Sequence, residues 1–239
     1  MKKTCFITGG FSPIGKIISK ALAENNYSLI LQHVHDLNNE NNLYIKYIEK
    51  NFQTEIFTVQ GDFNALNELE TIWTQVQKHS PHGIHILINN AGCFYKTPLL
   101  DIKESDWNEF LSINLIAPAL LTVYFIKQEC FSEENPGKII NIIDIYADKP
   151  MPSFIPYAVS KSGLASFTKQ TAKAAGAKFR INGISPGIVN EGTSSSIIKK
   201  SVTGKRVTEQ EIADTCLFLI NSKSITGEII HVDGGKNIY

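Results

Sequence analysis

Residues 4–15 read Thr-Cys-Phe-Ile-Thr-Gly-Gly-Phe-Ser-Pro-Ile-Gly, in which a short apolar run passes into a glycine-rich turn. Apolar residues then recur at the spacing of one buried helix face, so the stretch predicts a strand, a turn and a helix. A helix N-terminus offers unpaired backbone N–H groups and the positive end of a dipole, and glycines let the backbone approach a ligand. Such a turn can also simply connect a strand to a helix. Its position at the first strand–helix junction favours a pyrophosphate site formed by Gly9, Ser12, Ile14 and Gly15.

The rest of the chain alternates short apolar runs with longer helical patterns. Strands are predicted at residues 28–32, 55–59, 84–88, 138–143, 180–184 and 228–232, and helices near 43–51, 65–78, 107–128, 157–175 and 209–219. Strand–helix alternation favours a parallel sheet, and near-continuous apolar strands suit burial on both faces. We therefore predict the α/β class, with one domain over residues 1–239. Its expected architecture is a Rossmann-type, doubly wound parallel sheet of about seven strands with helices on both faces.

Composition narrows the possible function classes. The 239 residues carry 23 Lys and Arg against 23 Asp and Glu, with 43% hydrophobic and 19% charged residues. This excludes a disordered chain and argues against nucleic-acid binding by bulk charge, since no basic excess exists to displace counterions. The apolar runs are too short for a signal peptide or a membrane span, and the four cysteines are scattered. We therefore expect a cytoplasmic protein with reduced thiols, no metal site, and neither nucleic acid nor membrane as a partner.

Residues 189–207 form the one weakly patterned stretch, rich in Ser, Thr, Gly and Lys. A loop of this length in a compact domain is often a lid or a binding loop, although a plain surface loop with one short helix fits as well. We predict that this segment is a substrate-binding loop.

Four short motifs occur in order along the chain: T-G-x-x-x-x-I-G at residues 8–15, N-N-A-G at 89–92, Y-x-x-x-K at 157–161 and P-G at 186–187. Together they resemble the short-chain dehydrogenase/reductase family over essentially the whole chain. The resemblance implies an NAD(P)-dependent oxidoreductase that acts on a small molecule and assembles as a homotetramer. Pro13 departs from the family's glycine, but proline is tolerated in the first turn of a helix. By resemblance, further cofactor contacts come from Asp62, Asn90, Ala91, Gly92, Lys161, Pro186 and Gly187.

Three side chains are candidates for proton transfer. Tyr157 and Lys161 stand four residues apart on one predicted helix, so their side chains point the same way. Asp144 follows the fifth predicted strand, at the sheet edge where open parallel sheets bind ligands. A free tyrosine has a pKa of about 10, and lowering it by about three units takes roughly 4 kcal/mol, which a nearby ammonium can supply. We therefore expect Lys161 to lower the pKa of Tyr157, which passes a proton to the substrate.

The resemblance adds Asn114 to this group, as the residue that holds a water molecule in the proton relay. The alternative interpretation of Asn114 is a buried amide group that is hydrogen-bonded to the backbone, and one side chain can fill both roles. The catalytic set expected from the sequence is therefore Asp144, Tyr157, Lys161 and Asn114.

The end of the second predicted strand bears on the choice of cofactor. NAD-binding chains of this type place an acidic residue there, whereas this chain has His33-Val34-His35, and Asp36 comes late. An acid would repel a 2′-phosphate, and His33 and His35 can donate hydrogen bonds to one, so NADP(H) is favoured over NAD(H). The alternative is that both are ordinary surface histidines. For Asp62 the resemblance implies a contact to adenine, with a helix cap or a turn as its alternative.

Asp144 also stands where most of the family has a serine that bonds a carbonyl oxygen. A carboxylate repels a carbonyl oxygen but suits a substrate that presents N–H groups. Together with residues 89–100, Asn-Asn-Ala-Gly-Cys-Phe-Tyr-Lys-Thr-Pro-Leu-Leu, this substitution resembles the pteridine reductases and the dihydromonapterin and dihydrofolate reductases of the family. The resemblance implies that Phe94 stacks on a pterin ring, which makes Phe94, Asp144 and Tyr157 the substrate-binding residues.

Three functions remain open at this point. The leading hypothesis is an NADPH-dependent reductase of pterins, dihydropterins or dihydrofolate. The first alternative is a carbonyl reductase of the 3-oxoacyl-thioester type, against which Asp144 and Phe94 argue. The second is a non-catalytic nucleotide-binding homologue, for which Pro13 in the phosphate-binding turn is the only support.

Overall fold

The strands of the computed structural model, which describes residues 2–189 and 201–238, form one parallel sheet. They are β1 (Thr4–Ile7), β2 (Ser28–His33), β3 (Ile56–Gln60), β4 (Ile86–Asn89), β5 (Gly137–Ile142), β6 (Phe179–Pro186) and β7 (Ile229–Val232). Across the sheet they lie in the order β3-β2-β1-β4-β5-β6-β7, with parallel neighbours throughout. The predicted α/β class and seven-stranded Rossmann-type sheet are confirmed.

Helices cover both faces of this sheet. They are α1 (Pro13–Glu24), α2 (Asn39–Phe52), α3 (Leu69–Lys78), α4 (Glu104–Leu111), α5 (Ala117–Ile126), α6 (Ile155–Ala175) and α7 (Glu209–Asn221). Cys5 and Ile7 of β1 pack in one core with α1 and α7, whereas Phe6 packs in a second core with α3 and α5. Because successive side chains of a strand point to opposite faces, each buried strand must be apolar on both, which explains the near-continuous apolar runs.

The strand order reverses between β1 and β4, whose carboxyl ends lie side by side. Directly after β1, the Thr8 N–H donates to the Ile88 carbonyl at 3.0 Å. The Thr8 hydroxyl oxygen accepts the backbone N–H groups of Asn90 and Ala91, both at 2.9 Å. These bonds hold the glycine-rich turn against the segment after β4, at the switch point where open α/β sheets bind ligands.

The apolar helix before β5 is not uniform, although the sequence predicted a single helix over residues 107–128. Residues Ser112–Ile116 form a π-helical segment between α4 and α5. Glu104–Ile126 is long and apolar enough to cross a membrane by length and composition, since an 18-residue stretch within it has a mean hydropathy of 1.7. A core helix of a folded protein can be equally long and apolar. Phe110, Leu121 and Phe125 are fully buried among side chains of the domain, as in such a core helix.

The predicted substrate-binding loop is described only at its ends, since residues 190–200 lie outside the described residues. Val207 is buried, and its N–H donates to the Ile188 carbonyl at 3.0 Å. The Thr203 N–H donates to the Gly234 carbonyl at 3.0 Å. The ends of the loop are therefore fixed beside the carboxyl end of β6, and the substrate-binding role of the loop stays a prediction.

Candidate active site

The glycine-rich turn is braced by a side chain from the segment after β4. Asn90 Nδ2 donates to the carbonyl oxygens of Thr8 at 2.9 Å and Gly9 at 3.0 Å, and lies 3.1 Å from Ser12 Oγ. Ser12 in turn caps α1, where its Oγ accepts the Gly15 N–H at 3.1 Å. The resemblance implied a cofactor contact for Asn90, and in the structure its amide group shapes the turn.

The turn also fits a pyrophosphate. Gly9 has a φ of +59°, and a Cβ on Gly15 would lie 2.4 Å from the Gly9 carbonyl oxygen, so both positions require glycine. Pro13 is the first residue of α1, where its missing N–H breaks no helical hydrogen bond. The Ile14 N–H has no hydrogen-bond partner among the described residues, which leaves a donor at the positive end of the helix dipole.

The carboxyl ends of β2 and β3 bring His33 and Asp62 to the same edge. His33 Nδ1 lies 2.8 Å from the His35 carbonyl oxygen, so Nδ1 carries a proton and donates it. Asp62 Oδ1 accepts the Asn64 N–H at 2.9 Å, which is the alternative turn role, and its contact with adenine stays a prediction. Asp36 Oδ1 accepts a hydrogen bond from Gln60 at 3.3 Å. The last position of β2 therefore holds an imidazole where a carboxylate would repel a 2′-phosphate.

Asp144, Tyr157 and Lys161 come together at the carboxyl edge of β5. The Tyr157 hydroxyl donates to Asp144 Oδ2 at 2.8 Å, and Asp144 Oδ1 accepts the Tyr146 N–H at 2.9 Å. Lys161 Nζ donates to the Ile142 carbonyl at 2.8 Å and lies 6.0 Å from the centre of the Tyr157 ring. The structure thus brings together the three side chains that the sequence placed on one strand end and one helix face.

The protonation of this group differs from the expectation. Burial and the negative charge of Asp144 raise the pKa of Tyr157 well above its usual value. The expectation that Lys161 lowers this pKa is wrong for this arrangement, because the Asp144 carboxylate bonds the hydroxyl directly whereas the ammonium bonds a carbonyl. Burial also raises the pKa of Asp144, against the opposing effects of the Tyr146 amide, the Tyr157 hydroxyl and Lys161. The pair therefore retains a proton at neutral pH.

The charge of Lys161 gives a pH prediction. Burial lowers the pKa of Lys161 to about 8, with Asp144 opposing the shift, so the ammonium is present below this value and lost above it. If Lys161 holds the cofactor, we expect the dissociation constant of NADPH to rise above about pH 8, by at most about tenfold per pH unit. Fluorescence titration between about pH 6 and pH 10 measures this. Lys161→Met should bind more weakly with no such rise, and a flat wild-type profile would contradict the prediction.

Asn114 lies in the π-helical segment and is fully buried. Its Oδ1 accepts the Cys93 N–H at 3.0 Å, and its Nδ2 donates to the Cys93 carbonyl at 3.2 Å and to Ser160 Oγ at 3.2 Å. Both ends of the amide are thus bonded to protein groups, which is the second of the two expected roles. A Cβ on Gly92 would lie 3.1 Å from Asn114 Oδ1, so the amide also packs closely on the segment after β4. The water-holding role stays a prediction.

An aromatic wall stands beside Tyr157. Phe94 is 57% exposed, and its ring stacks on Phe154 with the ring centres 4.7 Å apart and the planes at 8°. The edge contact between Phe94 and Tyr157 has a centre-to-centre distance of 4.8 Å. Sequence reasoning missed Phe154, although an aromatic residue three positions before Tyr157 was a usable signal. The Thr97 N–H donates to the Ser153 carbonyl at 2.8 Å and joins the two segments that carry the wall.

Pro186 and Gly187 lie at the end of β6 beside the C-terminal turn. The Gly187 N–H donates to the Val232 carbonyl at 2.8 Å, and a Cβ on Gly187 would lie 2.7 Å from the Asp233 Cα. Gly187 is therefore required by the close approach of two backbones. The contact of Pro186 and Gly187 with the cofactor stays a prediction.

The sequence predicted no metal site. Within residues 2–189 and 201–238, no three His, Cys, Asp or Glu side chains lie close enough together to hold a metal ion. The four cysteines are free thiols.

Known proteins similar to this chain include several reductases. Residues 9–237 match a family model described as enoyl-(acyl carrier protein) reductase. The chain is 28% identical to carbonyl reductase family member 4 of Xenopus laevis, with all of both chains covered. It is 29% identical to the 3-oxoacyl-[acyl-carrier-protein] reductase FabG of Thermotoga maritima, over 98% of this chain and 97% of that protein. The crystal structure of FolM alternative dihydrofolate reductase 1 from Brucella canis, complexed with NADP, superposes with a TM-score of 0.88 at 25% identity, over 99% of this chain and 95% of that one.

Proposed function

The chain belongs to the short-chain dehydrogenase/reductase family, and we propose that it reduces a pterin-type ring with NADPH, the substrate being a pterin, a dihydropterin or dihydrofolate. Membership of this family makes it an NAD(P)-dependent oxidoreductase. The observation that carries the finer proposal is the 2.8 Å hydrogen bond from the Tyr157 hydroxyl to the Asp144 carboxylate.

Reduction of a carbonyl and reduction of a protonated ring imine place different charges on the heteroatom beside the reacting carbon. Hydride addition to a carbonyl develops negative charge on oxygen, which a carboxylate at Asp144 opposes. An imine gains a proton on nitrogen and a hydride on carbon, and a carboxylate stabilises the positive charge that the protonated nitrogen carries. Tyr157 and Asp144 hold the required proton between them, and the raised pKa of both groups keeps it available at neutral pH. The pair therefore favours a nitrogen ring over a ketone.

NADPH supplies the hydride when it is bound, and the chain has groups that suit it. The N-terminus of α1 and the turn before it fit the pyrophosphate. His33 at the end of β2 suits a 2′-phosphate, since its position holds no carboxylate. The FolM protein, whose fold is similar, was crystallised as a complex with NADP. The resemblance to the family also assigns Lys161, beside Tyr157, to cofactor binding.

The substrate ring is proposed to lie against Phe94, whose exposed face continues the aromatic wall. We expect Phe94→Ala to raise the KM for dihydrofolate about tenfold, because stacking on an aromatic side chain is worth about 1–3 kcal/mol. Phe218→Ala is the matched control, since Phe218 is 55% exposed on α7. Steady-state kinetics with both variants test this, and a KM equal to that of the wild type in Phe94→Ala would argue against stacking.

A substrate panel tests the proposed function. Purified protein is incubated with NADPH and, separately, with dihydrofolate, dihydrobiopterin, dihydromonapterin and a 3-oxoacyl thioester, and NADPH oxidation is followed by absorbance. The expected result is oxidation with at least one pterin or folate and little with the thioester. Oxidation with the thioester alone would defeat the pterin proposal and leave the family assignment intact.

The second candidate function is a carbonyl reductase of the 3-oxoacyl-thioester type. It is favoured by the similarity to the carbonyl reductase family member 4 and FabG proteins, which are 28–29% identical to the chain over nearly its whole length. The pairing of Tyr157 with Lys161 serves carbonyl reduction equally well, and a protonated Asp144 can donate to a carbonyl oxygen. A non-catalytic role is the third outcome, indicated by cofactor binding without reduction of any compound in the panel.

We also propose that the protein assembles as a homotetramer. The π segment and α5 leave Ile116, Leu120 and Val123 more than one third exposed, and Val159 on α6 is 47% exposed. Spacings of three and four residues place the first three side chains on one helix face, which a second copy would cover. Light scattering of the purified protein measures the assembly, and a monomer would contradict it.

A further inference from the structure

A cavity lies at the edge of the sheet opposite to Tyr157, where the amino ends of β1, β4, β5 and β6 meet the C-terminus of α7. Its volume is about 490 Å³, within the range of small-molecule sites. The residues that line it include Lys3, His85, Lys138, Arg180 and Lys223. This edge of the sheet takes no part in the proposed reductase site.

The register of neighbouring strands places two of these cations side by side. Lys138 of β5 pairs directly with Arg180 of β6, so both side chains stand on the same face of strands roughly 4.8 Å apart. Like charges directly opposite one another destabilise a sheet. The ion pairs of the described residues include none that joins Lys3, Lys138 or Arg180 to a carboxylate. The cluster is therefore a concentration of positive charge without direct ion pairs, although Glu133 and Glu134 also line the cavity.

Part of this arrangement has a structural explanation. Lys138 Nζ donates to the Ser222 carbonyl at 2.7 Å and Arg180 Nε to the Lys223 carbonyl at 2.5 Å, so both bind carbonyl groups that follow α7. Arg180 Nη1 also donates to the carbonyls of Ala177 at 2.9 Å and Phe179 at 2.8 Å. Two of the three N–H groups of Lys138 and two of the five of Arg180 therefore remain for a ligand. Capping thus explains why cations lie near this helix end, but not why two of them face one cavity together with Lys3.

Two further groups add hydrogen-bond donors to the cavity. His85 Nδ1 accepts the Thr4 N–H at 3.2 Å, so the neutral ring carries its proton on Nε2 and presents a donor there. Lys3 Nζ donates to Asn135 Oδ1 at 2.7 Å, which leaves two of its N–H groups for a ligand. The lining thus combines point charges with a planar guanidinium, the set that binds tetrahedral oxyanions.

We propose that this cavity binds a phosphate group, either as the free ion or as part of a small phosphorylated molecule. A dianion between Lys138 and Arg180 relieves their mutual repulsion and accepts charge-assisted hydrogen bonds from both. Two glutamates of the lining, Glu133 and Glu134, limit the site to a small anion by repelling extended polyanions. The site is independent of the proposed reductase activity, because it lies at the opposite edge of the sheet.

Calorimetric titration tests the site. Wild type, Arg180→Gln and Lys3→Gln are titrated with inorganic phosphate and, separately, with glycerol 3-phosphate, and the ligand that binds more tightly identifies the source. Each variant removes one charge, and we expect about tenfold weaker binding from the loss of one charge-assisted hydrogen bond. Lys173→Gln, an exposed change on α6, is the control and should bind as the wild type does. The phosphate-binding turn at α1 is intact in every variant, so any loss reports on the cavity.

Proton uptake provides a second readout that a capping role would not give. Burial, Arg180 and Lys3 lower the pKa of Lys138 to about 8, and a bound anion raises it again. Sulfate does not titrate near neutrality, so its binding at about pH 8.5 should take up protons through Lys138, measured in buffers of different ionisation enthalpy. Phosphate affinities that are equal in the wild type, Arg180→Gln and Lys3→Gln, or sulfate binding without proton uptake, would overturn the proposal. Melting temperatures show whether each variant is folded.

Discussion

Asp144→Asn is expected to lower kcat for the reduction of dihydrofolate by about 10²–10⁴-fold, the usual contribution of a positioned proton donor or acceptor. An asparagine can still accept the Tyr157 hydrogen bond through its Oδ1, so the packing of the pair is retained. It carries no charge to stabilise a protonated ring nitrogen, and it cannot exchange a proton with Tyr157. Stopped-flow measurement of NADPH oxidation in a single turnover separates the loss in the chemical step from any loss in binding.

The control for this variant is Asp148→Asn. Asp148 is a carboxylate in the same loop, 3.1 Å from His231 Nε2 and half-exposed. Its replacement removes an acid from the same region without touching Tyr157, and kcat should stay within a factor of about two, since surface changes cost little. If Asp144→Asn and Asp148→Asn had equal activities, the carboxylate would have no part in proton transfer.

Tyr157→Phe is expected to have the other large effect, a loss of kcat of about 10³-fold or more with pterin and ketone substrates alike. The variant removes the hydroxyl that donates to Asp144 and keeps the ring that meets Phe94 edge-on. Because the ring remains, the KM of the substrate should change much less than kcat. Kinetics with dihydrofolate over a range of concentrations separate the two constants.

Tyr146→Phe is the matched control, since Tyr146 lies in the same loop as Asp144 and its backbone N–H, which no side-chain change removes, bonds that carboxylate. Its kcat should be close to that of the wild type. A Tyr157→Phe protein that remains folded and retains more than about one tenth of wild-type kcat would show that the proton comes from another group.

The fold was predictable because its determinants are local. The apolar runs at residues 84–88 and 138–143 predict strands buried on both faces, and the turn at residues 8–15 predicts the first strand–helix junction. The interruption at Ser112–Ile116 was not predictable, because its residues have no glycine or proline and fit an ordinary helical pattern. Its cause is tertiary, since the amide of Asn114 bonds Cys93 and Ser160.

The sequence predicted which residues form the candidate site, but it did not predict their pKa shifts. Spacing alone put Tyr157 and Lys161 on one helix face, and the end of β5 placed Asp144 near them. The direction of the pKa shift of Tyr157 depends on two distances, from its hydroxyl to the Asp144 carboxylate and from the Lys161 ammonium to its ring. The sequence shows neither distance. The position of Phe154 near Tyr157 was visible in the sequence, but its stacking on Phe94 was not, because that contact joins segments distant in sequence.

The most direct test of the central claim is a ratio of specificities. The value of kcat/KM for dihydrofolate divided by that for a 3-oxoacyl thioester is measured in the wild type and in Asp144→Ser, which restores the hydroxyl common in the family. If the carboxylate selects a protonated nitrogen ring over a carbonyl, this ratio should fall by about 100-fold or more in the variant, with the thioester rate rising. A ratio that is the same in both proteins would contradict the account.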